Sequence, residues 1–489
     1  MTYDLVIQGG LAVLPDGPRQ CDIGVTGGRI AAIESHLPSG ERTIDATGKI
    51  VVPGGIDSHC HIEEPSRSIV RNAETFASGT RSAAAGGTTT VISFSTQSKG
   101  GTILANLRDY EKKAKSSYID YCFHMIVTDP NDRVMEELPG LIAEGHRSLK
   151  VFMTYDPLFV GDEGFLKILA LAKQNHALVT VHAENHAAIK YMIDALSRRG
   201  LVDMKHHAWS KPMVVEREAV HRAIAFAELL DVPIQIFHVS GDESAQEISR
   251  AQQRGLKIFG ETCPQYLVLT QDDLDKPGFE GAKFICSPAL RTPEDQEALW
   301  GYIKSGVLGV VTSDHAPNLY EGPNGKMAFG NDAPFHAVPN GVPGLETRMP
   351  LLFSEGVVKG RIGLETFVAI TSGNAAKLFG LDVRKGSIAV GLDADLAVWD
   401  PEKTVVLRND MLHHAMDYTP YEGMTITGWP VTTLSRGEVI WDGENIVATE
   451  GRGKFLPRQP YDFIAPLGRH VVPFDPASAV EAGATDGGS

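Results

Sequence analysis

From residue 50 to residue 312 the chain repeats one pattern: a short apolar run, then a longer amphipathic stretch. The apolar runs are Ile50–Val52, Thr89–Phe94, Asp120–Val127, Ser148–Met153, Ala177–His182, Pro233–Val239, Lys257–Gly260 and Val307–Thr312. Helical periodicity marks Glu74–Ala85, Leu104–Lys115, Asp162–Asn175, Glu216–Leu230 and Glu243–Arg254 between them. Eight strands alternating with helices predict a parallel sheet closed as a (β/α)8 TIM-like barrel. An open doubly wound sheet is the alternative. No Gly-rich dinucleotide fingerprint follows the first run, which counts against it.

The two ends have another texture. Leu5–Ile7, Ile23–Val25 and Arg29–Ile33 are short and separated by Gly9-Gly10, Asp16-Gly17 and Gly27-Gly28, which signal turns. Leu396–Trp399, Thr404–Leu407 and Glu438–Trp441 repeat that texture near the other end. Neither set suffices alone. The two are expected to combine into one small β-sandwich from residues 1–52 and 385–455, beside a barrel spanning 53–384. Residues 456–489 read as a tail, and Ala479–Ser489 as its mobile end.

Composition narrows the function classes. With 43% apolar and 22% charged residues, a chain of this length can bury a large core. A formal charge of −16 disfavours nucleic acid and anionic membrane as partners. No stretch is apolar enough to span a membrane, and Met1–Ile7 lacks the start of a signal peptide. The five cysteines, Cys21, Cys60, Cys122, Cys263 and Cys286, include no C-x-x-C pair, which suits a reducing, cytoplasmic setting.

Metal-binding residue types recur where the apolar runs end. His59 and His61 stand two apart, so in an extended segment both imidazoles point to one side. By itself this spacing fits a solvated turn equally well. Lys150 sits among Ser148, Leu149, Val151 and Phe152. An unpaired ammonium there is costly, so the residue either pairs with a carboxylate or loses its proton. A neutral amine can take up carbon dioxide and become an anionic, two-oxygen carbamate. His182 ends Leu178–Val181, His238 ends Ile234–Phe237, and Asp314 follows Val310–Ser313. Each alone reads as a core histidine or a helix cap. In a barrel all these strand ends meet at one rim, so together they predict a metal site.

These residues lie in motifs that resemble the cyclic amidohydrolases of the dihydropyrimidinase and hydantoinase family. The motifs are Pro53–His61, Ala85–Thr90, Ser148–Tyr155, Val181–Asn185, Gly260–Leu267, Ser313–His315, Asp395–Ala397 and Asp417–Gly423. The resemblance covers nearly the whole chain. It implies a barrel with a terminal β-sandwich and two divalent metals, usually zinc. His59, His61 and Asp314 would hold one ion, and His182 and His238 the other. Lys150, as its N6-carboxylysine carbamate, would bridge them. Tyr155 would hydrogen-bond the carbonyl under attack, and Ser287 and Asn340 would hold the ring amide through backbone groups. A metal-bridged hydroxide would open the ring of a hydantoin, 5-substituted hydantoin or dihydropyrimidine to an N-carbamoyl amino acid, with Asp314 carrying the proton. A homotetramer, or a dimer, is the expected assembly.

Two stretches depart from the usual hydantoinase pattern. After His61 the chain reads Ile62–Ile69, and Glu64-Pro65-Ser66-Arg67 looks more like an allantoinase. After Asp314 it reads His315-Ala316-Pro317-Asn318. Loop drift and a shifted, more polar substrate preference both account for this. An allantoinase-like or cyclic-imide hydrolase is therefore the rival activity. A dihydroorotase is disfavoured by Glu63, where a carboxylate-binding arginine is expected. A non-catalytic scaffold relative would have lost metal ligands, and all six are present.

Overall fold

The computed structural model describes residues 2–65 and 69–479. Ser66 and Arg67 of the divergent loop lie outside the described residues, as do residues 480–489 of the expected mobile end. Five strands open the chain: β1 (Leu5–Leu14), β2 (Gly17–Thr26), β3 (Arg29–Glu34), β4 (Arg42–Asp45) and β5 (Ile50–Pro53). Eight follow: β6 (Gly55–Cys60), β7 (Thr88–Thr96), β8 (Asp120–Ile126), β9 (Ser148–Phe152), β10 (Leu178–His182), β11 (Ile234–Ile236), β12 (Ile258–Thr262) and β13 (Leu308–Val311). Three come last: β14 (Leu396–Val406), β15 (Thr425–Ser435) and β16 (Glu438–Trp441).

Strands β6 to β13 form one parallel sheet in sequence order. The first and last strands meet just beyond their ends. Cys60 and His315 form a parallel bridge, and the His61 N–H donates to the His315 carbonyl at 2.7 Å. The Ser313 N–H donates to the Asp57 carboxylate at 3.2 Å. The sheet is therefore curled into the expected barrel.

Ile50–Val52, expected as the first barrel strand, belongs elsewhere. Strand β5 pairs with β1 and, antiparallel, with β14, where Val51 faces Val398. Pro53 and Gly54 end it. A Cβ on Gly54 would lie 2.2 Å from Thr89 Oγ1, so only glycine lets the chain turn there into β6. Strand β6 carries Asp57, Ser58 and His59, and a search for apolar runs passes over it.

Alternation sorts the strand side chains. Leu149 and Val151 join the main core, together with Phe165, Ile168 and Leu169 of the helix Gly161–Gln174. Lys150 and Phe152 occupy the opposite face, where Phe152 packs with Phe94 and Phe237 inside the barrel. The helices begin and end where the sequence signals it. Thr75 caps Phe76–Ala85 in a capping box with Ser78, and Met213–Leu230 ends at Asp231 in the left-handed region.

The terminal strands form a second, mostly antiparallel sheet in the order β16-β15-β14-β5-β1-β2-β3, with β4 on β1. Leu5, Ile7, Ile23, Val25, Val51, Leu396, Val398 and Leu434 share its separate core. The chain after β16 packs against the N-terminal ends of the barrel strands. There Arg458 is buried and donates to the carbonyls of Gly145 and Phe123 and to Ser148 Oγ, at 3.0–3.2 Å.

Candidate metal centre

His59, His61, His182, His238 and Asp314 sit near or just past the C-terminal ends of their strands, the rim where barrel loops converge, while Lys150 lies in the middle of β9. His59 Nε2 lies 3.1 Å from Asp314 Oδ1, and His61 Nε2 lies 3.4 Å from the same oxygen. One donor atom from each of the three falls within 4.8 Å of the others. His182 and His238 form a neighbouring pair, their ring centroids 4.4 Å apart, and His238 lies 5.4 Å from the His59 ring. Lys150 is fully buried between these groups. Its Nζ has no hydrogen-bond partner among the described residues and stands 4.0 Å from the centre of the Phe237 ring.

Carboxylates outside the cluster fix the imidazoles. His59 Nδ1 donates to Glu261 at 2.7 Å, and His61 Nδ1 to Glu64 at 2.8 Å. His182 Nε2 donates to Glu184 at 2.7 Å. Each carboxylate occupies one ring nitrogen, which leaves Nε2 of His59 and His61 and Nδ1 of His182 as the donors. Metal-binding histidines have this arrangement, because the outer carboxylate sets the tautomer and raises basicity. His238 Nδ1 is buried without a partner among the described residues. Four imidazoles, a carboxylate and an orphaned lysine amine fit a divalent cation. These roles for Glu64, Glu184 and Glu261 were not read from the sequence. Glu184 had a signal, standing two residues after His182; Glu261 had none local to His59.

Burial governs the protonation states. Desolvation pushes the Lys150 amine down to about 7, against the pull of Glu261 and Asp314. It also lowers His182 to about 4. Burial would lower His61 too, but Glu64 and Asp314 outweigh it and raise it to about 9. Burial would raise the Asp314 carboxyl, yet His59 and His61 hold it well below the usual range.

A cavity of about 390 Å³ opens on this cluster, and all six predicted ligands line it. So do Tyr155, Ser287 and Asn340, the three predicted substrate contacts. The Tyr155 phenol is pushed up by burial and by Glu184, so it stays a proton donor. Ser287 Oγ donates to Glu184 at 2.5 Å and accepts from Lys211 Nζ at 2.8 Å. Glu184 thus joins a histidine of the cluster to the cavity wall through a buried network. Asn340 Oδ1 is buried without a partner among the described residues. Glu64, Pro317 and Asn318, from the two divergent stretches, also line the cavity.

Three of these residues have strained backbones. Tyr155, His238 and Asp314 have φ of 68°, 41° and 46°, in the left-handed region that side chains disfavour. Strain of roughly 1–3 kcal/mol per residue is kept where the surroundings require it, typically at functional sites.

The pattern of the amidohydrolase family matches residues 50–440. The chain is 43% identical to the D-hydantoinase of Ralstonia pickettii over 460 residues, 94% of this chain and 99% of that one. It is 42% identical to the D-hydantoinase of Geobacillus stearothermophilus, covering 93% and 97% of the two chains. Its fold superposes on the crystal structure of dihydropyrimidinase from Brevibacillus agri with a TM-score of 0.90, at 40% identity and with 93% and 99% of the chains covered. The chain belongs to the amidohydrolase family, within its hydantoinase and dihydropyrimidinase branch.

Proposed function

We propose that this chain hydrolyses a ring amide bond in a hydantoin, a 5-substituted hydantoin or a 5,6-dihydropyrimidine, releasing the N-carbamoyl amino acid. The observation that carries this is Lys150, whose buried amine has no hydrogen-bond partner among the described residues and stands among five other ligand-type side chains on one cavity. An isolated ammonium there is costly. Addition of carbon dioxide to the neutral amine forms an N–C bond and releases a proton, leaving an anionic carbamate. His59, His61 and Asp314 would then hold one divalent ion, His182 and His238 a second, and the Lys150 carbamate both. When bound, two such ions, zinc in this reading, supply the Lewis acidity that acidifies water and polarises a carbonyl.

The protein's own groups do the rest. Tyr155 donates a hydrogen bond from its phenol to the developing oxyanion. Asp314 accepts the proton of the attacking water and passes it to the departing ring nitrogen. Ser287 and Asn340 orient the ring amide, chiefly through backbone groups. Five buried, unpaired cysteines agree with a cytoplasmic setting. Exposed Tyr191 and Trp209 offer apolar surface for a homotetramer or dimer.

A second reading, a ring with a polar substituent such as allantoin, draws on Glu64, Asn72 and Asn318 in the cavity wall. One turnover panel separates the two: hydantoin, 5-substituted hydantoins of both hands, dihydrouracil, allantoin and cyclic imides. Preferred opening of hydantoins or dihydrouracil supports the first reading. Preference for allantoin supports the second, and no ring opening at all contradicts both.

A further inference from the structure

Lys326 is a second fully buried lysine, on the loop between Asp314 and Asn340. Its Nζ donates to the carbonyl of Ile285 at 3.1 Å and to that of Pro339 at 2.9 Å. No carboxylate among the described residues forms an ion pair with it; burial lowers its amine, to about 7, against an opposing pull from Cys286. Either protonation form has hydrogens enough for both carbonyls. A buried amine without a counter-charge weakens a fold relative to a packed apolar side chain. A charge pair does not explain its presence.

Its two acceptors do. Ile285 lies two residues before Ser287, and Pro339 immediately precedes Asn340. The two segments otherwise meet through the Gly341 N–H on the Ile285 carbonyl, at 3.0 Å. Each is also held separately: the Cys286 carbonyl by His207 at 2.7 Å, and the Asn340 carbonyl by Asn318 at 3.1 Å. Among the described residues, only Lys326 donates from one side chain to both segments.

We propose that Lys326 is a positioning residue for the substrate ring, its amine fixing the separation of the Ile285–Ser287 and Pro339–Asn340 segments. The inference rests on the proposed function, because the ring amide is what those segments would grip. Loss of the clamp lets two binding groups drift apart, and a displacement of about 1 Å is worth up to about 100-fold. The effect falls on the ring itself, so every ring substrate feels it alike.

The test is Lys326→Met, assayed for KM, kcat and bound metal with dihydrouracil and with unsubstituted hydantoin. KM is expected to rise about tenfold or more for both, with metal content unchanged. Lys326→Gln, which keeps a two-hydrogen donor, is expected to recover part of that loss. KM does not depend on the fraction of folded enzyme, so a purely structural role would leave it unmoved. An unchanged KM beside an active wild type overturns this proposal alone. Failure of both variants to fold overturns it as well, by making Lys326 structural. A wild type inactive on both rings overturns the functional reading and this proposal with it.

Discussion

His59 Nε2 and Asp314 Oδ1 stand 3.1 Å apart, although one residue lies near the end of the first barrel strand and the other follows the last. Closure of the barrel makes that contact. The Cys60–His315 bridge and the Ser313–Asp57 hydrogen bond join the two chain ends beside it. Buried Arg348 sits 3.5 Å from Asp57 and also donates to the Val311 carbonyl at 3.0 Å. The site and the seam of the barrel are one structure, and the following substitutions probe its parts.

Replacing Asp314 by Asn keeps its volume and removes its basicity. Turnover is expected to fall by about 10²–10⁴-fold, the range for losing a general base. The thermal transition should move far less. Steady-state kinetics beside a melting curve checks this, and near-normal turnover would remove Asp314 as the proton carrier.

Glu261→Gln leaves His59 in place but takes away the charge behind its Nδ1. Metal affinity should weaken by about 10–100-fold, as for other outer-shell partners. Competition with a chelator measures it, and an unaltered affinity would show that Glu261 does not orient a ligand.

Lys150→Ala should lose both metal and turnover. Acetate or propionate in the assay buffer is expected to restore part of the turnover, by supplying the missing carboxylate. Elemental analysis with and without the added acid decides it. A variant that keeps full turnover excludes Lys150 from the centre.

Arg458 tests the packing beneath the barrel. Arg458→Met removes the guanidinium's hydrogen bonds to the Gly145 and Phe123 carbonyls and to Ser148 Oγ, leaving Gly145 only the backbone N–H of residue 458 at 3.3 Å and Phe123 the Ser148 hydroxyl at 3.5 Å. Each lost hydrogen bond is worth about 0.5–1.5 kcal/mol, so the midpoint in denaturant should fall clearly. The kcat of the folded enzyme should stay the same, because the metal centre lies at the opposite end of the strands. A midpoint equal to wild type would contradict the structural role.

His182, His238 and Asp314 were legible in the sequence because each ends or follows an apolar run, Lys150 because it stands inside one, and His59 and His61 because of their spacing; topology brings them together. Their arrangement around two ions was not; it came only as what a resemblance implied. Glu261 lies far from His59 along the chain, and only the barrel brings them to 2.7 Å. Strand β6 was hidden by its own polar residues, Asp57, Ser58 and His59. Strand β15 was not anticipated either, since Gly428 and Pro430 interrupt its apolar pattern. Lys326 carries no local signal at all: its role depends on two carbonyls from separate loops. Sequence patterns report what a residue does to its own segment, whereas these roles belong to the closed barrel.

The most direct measurement is ring-opening turnover of one purified sample, first stripped of metal and then titrated with zinc. Turnover should vanish on stripping and return in proportion to metal, levelling off near two ions per chain. Full turnover by the stripped protein, or none by the protein loaded with two ions, would contradict a metal-dependent cyclic amidohydrolase.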